Sequence, residues 1–164
     1  GKLFACEHED VKPDIIIIGK ALSGGMYPVS AVVASEEVLG VFNPGDHGST
    51  YGGNPLACVV AREALRILKD ENLIENSAKL GEYLMAELKK IDSPHIELIR
   101  GKGLWVGIVL KEEAGGARKF CEALQNAGIL AKETHKHVIR IAPPLVITKE
   151  DIDKAVAILK EVLA

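Results

Sequence analysis

The segment that most restricts the fold is Pro13-Asp14-Ile15-Ile16-Ile17-Ile18-Gly19-Lys20. Four consecutive isoleucines between breakers are too few for a buried helix, and their β-branched side chains favour extended backbone, so the run predicts a strand. Because no polar residue alternates with them, the strand is expected to be buried on both faces, as in a parallel sheet covered by helices. Lys20 then stands at its carboxyl end, the side on which open α/β sheets place their ligands. After Ser23-Gly24-Gly25, residues 29–34 (VSAVVA) read as a second short strand and residues 36–42 as a helical turn, which Asn43-Pro44-Gly45 ends.

Residues 46–55, DHGSTYGGNP, hold three glycines among small hydroxyl and amide residues, the chemistry of a loop. Pro55 suits the first turn of a helix capped by Asn54, with Leu56, Val59, Val60, Ala64, Ile67 and Leu68 as its apolar face. Beyond Asp70-Glu71-Asn72, Leu73, Leu80, Leu84, Leu88 and Ile91 predict a second helix that closes before Ser93-Pro94. Residues 95–100 and 104–110 read as strands around the Gly101-Lys102-Gly103 turn. Ala117, Phe120, Cys121 and Leu124 follow helical spacing up to a stop at Gly128. Residues 129–131 and 137–141 are expected strands, and Thr148-Lys149-Glu150-Asp151 opens a last helix with Ile152, Ala155, Val156, Leu159, Val162 and Leu163 inward. The pattern gives an α/β chain: the tail of a parallel sheet and a linking helix over residues 1–75, then a small β-β-α-β-β-α domain over 76–164.

With 164 residues the chain holds one domain, or one domain and part of another. Hydrophobic residues at 48% and charged residues at 26% supply a core and exclude a wholly disordered chain. A net charge of −3 gives no field that would draw the chain to nucleic acid or an anionic membrane, which points to a small molecule or a protein as partner. No apolar run approaches the roughly 18 residues of a spanning helix. Cys6, Cys58 and Cys121 are odd in number and widely spaced, so reduced thiols are expected. The chain opens on Gly-Lys-Leu-Phe without a methionine, from which we expect a piece of a longer protein.

Lys20 is the first chemical candidate. A deprotonated amine at a strand end can add to a carbonyl to form a Schiff base, although a lysine in that position is commonly just solvated. The loop Gly48-Ser49-Thr50-Tyr51-Gly52-Gly53 offers hydroxyls and unhindered amides before a helix start, a phosphate cradle or else a plain turn. It lacks the GxxxxGK[ST] order of a nucleoside-triphosphate loop. Arg140 alternates with Ile139 and Ile141 before the rigid Ala142-Pro143-Pro144; it could grip a carboxylate bidentately or be an ordinary edge charge. His135 and His137 could share a strand face, but no third metal ligand is evident, so no metal is expected. Glu7-His8-Glu9-Asp10 reads as a solvated loop, His47 stays open, and Trp105 and Phe120 read as core.

Taken together, PDIIIIGKALSGGMYPVSAVVAS, HGSTYGGNPLA, RGKGLWVGIVLKE and GILAKETHKHVIRIAPPLVIT resemble the C-terminal part of the class III pyridoxal-phosphate-dependent aminotransferases of fold type I. KETH and IRIAPPLVI favour the ornithine-using branch over the acetylornithine- and 4-aminobutyrate-using ones. The resemblance implies pyridoxal 5′-phosphate as cofactor, attached to Lys20, whose freed amine shuttles the proton between substrate and cofactor. It implies that Ser49 and Thr50 reach the cofactor phosphate of a neighbouring subunit, hence a homodimer with shared sites, and that Arg140 binds the substrate α-carboxylate. The reaction implied passes the δ-amino group of ornithine to 2-oxoglutarate, giving glutamate semialdehyde and glutamate, in the bacterial cytoplasm. The family's aspartate facing the pyridine nitrogen and its main phosphate cup precede residue 1, so the 164 residues alone are expected to bind cofactor weakly and not turn over. The alternative outside the class is a folding or dimerisation module without catalysis.

Overall fold

The computed structural model describes all 164 residues, and their contacts divide the chain into two compact units, residues 3–72 and residues 1–2 with 73–164. The first unit is built on β1 (Ile15–Ile18) and β2 (Ala31–Ala34). They pair antiparallel, Ile15 opposite Ala34 and Ile18 opposite Ala31, which corrects the expected parallel arrangement. The reason lies in the connection: residues 19–30 hold a 3-10 turn at Lys20–Ser23 but no crossover helix, so the chain folds straight back. Nor is β1 buried on both faces; Ile15 and Ile17 are 47% and 79% exposed in this chain.

A short α1 (Glu36–Leu39) follows, and then α2 (Pro55–Asp70). Asn54 caps α2 as its type requires: its side chain accepts the Ala57 N–H at 2.9 Å, and Pro55 takes the first helical position, where no N–H is needed. The buried line of α2 is Ala57 and Ala61, whereas Leu56 and Val59, expected inward, are exposed.

The second unit opens with α3 (Leu73–Leu88), whose Leu73, Leu80, Leu84 and Leu88 are buried at helical spacing. It continues through β3 (Ile96–Lys102), β4 (Trp105–Leu110), α4 (Arg118–Asn126), β5 (Lys132–Thr134), β6 (Val138–Ile141) and α5 (Lys149–Val162). The β-β-α-β-β-α order matches the pattern in the sequence, and the strands form one antiparallel sheet in the order β3-β4-β6-β5. The fifth strand falls at residues 132–134, not 129–131. Ile129 and Ala131 pack on the core while the chain is still closing α4, and left-handed His135 and Lys136 then turn it into β6.

One sheet face is the core. Val106, Ile108 and Leu110 alternate inward on β4, meeting Ile139, Phe120, Leu124, Ile152 and Leu159. The same alternation sends Trp105 outward, 65% exposed, so its place in an apolar stretch does not make it core. Gly81 of α3 lies directly against Gly103 in the β3–β4 turn; a Cβ on Gly81 would stand 2.5 Å from the Gly103 Cα. Ser77, one turn earlier, accepts the Leu104 N–H at 3.3 Å, which holds that turn on the helix.

The two terminal helices are tied at the surface. Tyr83 donates to Asp153, Lys149 reaches the same carboxylate at 2.7 Å, and the Lys149 ammonium lies 4.6 Å from the Tyr83 ring centre. Hydrogen bonding from Lys149 first, and from Tyr83, holds the Asp153 carboxyl below the ordinary aspartate value. Thr148 caps α5, accepting the Asp151 N–H at 3.2 Å and donating to its carboxylate at 2.8 Å. No helix is long and apolar enough to cross a membrane.

Candidate active site

Within residues 3–72 an open cleft of about 1190 Å³ lies between the end of β1, β2, the glycine-rich loop and one face of α2. Lys20 lines it. The residue is exposed and has φ 49°, a left-handed conformation that a side chain with a Cβ rarely adopts. Gly19 before it is extended, so the strand ends and the chain swings left-handed at the lysine itself. Buried Ser23 closes the turn by accepting the Tyr27 N–H at 3.2 Å.

Across the cleft, Ser49 Oγ accepts the Gly52 N–H at 3.1 Å, which leaves the hydroxyl proton free for a ligand. A Cβ on Gly52 would lie 3.0 Å from the Ser49 Cβ, so a larger residue there would press on the serine that closes the turn. Asn54 Nδ2 donates to the Tyr51 carbonyl at 3.0 Å while its oxygen caps α2, fixing the loop to the positive end of the helix. The structure therefore brings Lys20 and Ser49 to one cleft. Thr50 is exposed beside them and is not among the residues that line it.

Two further side chains line the cleft that the motifs did not single out, Cys58 and Arg62. They follow Asn54 by four and eight residues, one face of a helix, and that spacing was the signal available in the sequence.

Arg140 belongs to the second unit. It is exposed on β6, opposite Gly107 of β4 on one side and Lys132 of β5 on the other. None of the ion pairs within these 164 residues involves it. His135 lies in the left-handed turn and His137 enters β6, its backbone carbonyl accepting the Leu110 N–H at 2.8 Å. Phe120 is core, its ring tilted against that of His95 with 5.2 Å between ring centres.

A family model described as aminotransferase class-III matches residues 1–163. The chain belongs to the class III aminotransferases. Among curated relatives of this class III chain, the ornithine aminotransferase of Halalkalibacterium halodurans is 57% identical over 95% of the chain and 38% of its own length. That of Bacillus subtilis is 54% identical over 99% of the chain and 40% of its own length. Of solved structures, Plasmodium falciparum ornithine delta-aminotransferase superposes with TM-score 0.93 at 43% identity, over 99% of this chain and 43% of that one. The acetylornithine aminotransferase of Elizabethkingia anophelis gives TM-score 0.92 at 49% identity, again over 99% and 43%. The chain thus spans about two fifths of the length of the curated relatives it matches.

Proposed function

We propose that the protein carrying this sequence is an ornithine aminotransferase that uses pyridoxal 5′-phosphate and 2-oxoglutarate. The observation that carries the reading is Lys20, held left-handed at the end of β1 and lining an open cleft. The donor set fits that cofactor: a primary amine for the aldehyde, and a free serine hydroxyl beside a helix start for the phosphate. Pyridoxal phosphate, when bound, supplies the electron sink for breaking a bond at the amino carbon.

The chain's own residues do the rest. Lys20 tethers the cofactor and, once its amine is released, takes a proton from the substrate carbon and returns one, a role worth about 10²–10⁴ in rate. Ser49 and Thr50 of the exposed glycine-rich loop donate their hydroxyls to the phosphate of the cofactor held by a neighbouring subunit, which makes the protein a homodimer with shared sites. Arg140 offers two parallel N–H donors to a substrate α-carboxylate.

The names of the curated relatives favour ornithine as donor; the 49% identity to an acetylornithine aminotransferase structure favours the runner-up. Initial rates of the full-length dimer with ornithine and with acetylornithine, at equal 2-oxoglutarate, separate the two. A kcat/KM at least about tenfold higher with ornithine is expected, since a site built for a charged amine leaves groups unpaired with the acetylated donor. A higher value with acetylornithine would overturn the assignment, and a full-length protein that sediments as a monomer would overturn the shared site.

A further inference from the structure

Arg140 is the residue before last of β6, and residues 142–148 then carry the chain to α5. The start of that connection is stiff. Proline locks φ at Pro143 and Pro144, and each proline keeps the residue before it extended, so Ala142 and Pro143 do not curl. A shift at the far end of this strut is passed back to the end of β6 rather than absorbed on the way.

The far end is held by a side chain of α3. Beyond Pro144 the connection closes in a turn, the Ile147 N–H donating to the Pro144 carbonyl at 3.0 Å. Asn76, in the first turn of α3, donates its side-chain amide to the Leu145 carbonyl at 2.6 Å and to the Ile147 carbonyl at 3.4 Å. Two carbonyls facing one group require a donor there, which sets the amide with its nitrogen toward the turn. Ile147 itself packs on the core, so the turn is held from both its backbone and its side chain.

The next residue of α3 holds the neighbouring strand at the same end of the sheet. Ser77 accepts the Leu104 N–H at 3.3 Å just before β4 begins, and Val106 of β4 is opposite Ile141 of β6. Two turns along, Tyr83 donates to Asp153 of α5. Adjacent residues of one helix thus hold the entry to β4 and the exit from β6, and Arg140 lies one position inside that exit, opposite Gly107. All of these bonds are made within the second unit.

We propose that Asn76 is a positioning residue for substrate binding: its amide, by holding the turn after β6 to α3, sets where the Arg140 guanidinium meets the substrate carboxylate. The inference rests on the role proposed above for Arg140 and deepens it. Asn76 touches no substrate and acts through the strut and β6. A bidentate pair is sensitive to such placement, since about 1 Å of displacement can cost up to about 10²-fold in rate.

The test is a double-substitution cycle on the full-length holoprotein, read as kcat/KM for 2-oxoglutarate at saturating amino donor, with pyridoxal phosphate content measured for each variant. Asn76→Ala removes the donor and suits a helix; it is expected to lower kcat/KM about fivefold while cofactor content stays at the wild-type level. In an Arg140→Ala background the same substitution should change kcat/KM by less than about twofold, because the group it positions is gone. Asn76→Asp, of the same size but without the donor, should do no better than alanine. Asn76→Gln, which keeps the donor one methylene further out, should recover part of the loss, and it carries the same cycle if the alanine protein fails to fold. An equal loss in both backgrounds would mark a general structural role and overturn the proposal, as would a wild-type kcat/KM in Asn76→Ala or an Asn76→Asp protein that outperforms it. These outcomes leave the aminotransferase reading intact. An Arg140→Ala protein that keeps the wild-type kcat/KM for 2-oxoglutarate overturns the role proposed for Arg140 and this inference with it.

Discussion

A lysine in left-handed backbone costs about 1–2 kcal/mol relative to glycine, and Lys20 carries that cost at φ 49°. Nothing in its hydrogen bonding repays it; the return is the position of the amine on the cleft. The strain is testable apart from chemistry, because Lys20→Gly and Lys20→Ala both remove the amine but only the glycine fits the backbone. In the full-length apo protein, Lys20→Gly should be about 1 kcal/mol more stable than Lys20→Ala, measured as a difference in denaturation midpoint. Equal midpoints would mean the lysine is not held left-handed. At this scale the sequence offered Lys20, Ser49 and Arg140 as candidates but not their settings. Period-2 alternation cannot be phased within LWVGIVL, where nearly every residue is apolar, and so Trp105 looked like core until the register of β4 turned it outward.

Among the elements, caps were the most legible features because they depend on three or four adjacent residues. Asn54 before Pro55 and Thr148 before Asp151 both make the hydrogen bonds their types prescribe. Burial was less legible, since it depends on what lies across from a face: the isoleucine strand and the Leu56–Val59 side of α2 read as inward but are exposed in this chain. The contact of Gly81 with Gly103 gave no sequence signal at all, because a glycine inside a helix reads only as a weak helix former. Its consequence is a sharp prediction. Gly81→Ala should gain about 1 kcal/mol of helix propensity yet lose about 2–3 kcal/mol overall, because the new methyl meets rigid backbone in the β3–β4 turn. Denaturant melts of the full-length protein measure it, and a stabilised variant would show that the turn can move aside. Asp153 acts at the same scale. Its carboxyl is held below the ordinary value of 3.8, so the tie between α3 and α5 is at full strength above that pH and is lost as pH falls through the depressed value. It is an exposed tie and a small one.

For the molecule as a whole, family membership was readable from four stretches spread along the chain, and a class III family model matches residues 1–163. What no stretch could supply was the row in which Arg100 of β3, Gly107 of β4, Arg140 of β6 and Lys132 of β5 follow one another across the second sheet, which only the register sets. The claim on which the rest depends is that Lys20 is the residue to which pyridoxal phosphate attaches. Borohydride reduction of the full-length holoprotein, followed by proteolysis and mass mapping, tests it most directly. The account predicts a single reduced pyridoxyl adduct on the peptide containing Lys20 and its absence in Lys20→Ala; an adduct on another lysine, or none in a protein that still transaminates, would contradict it.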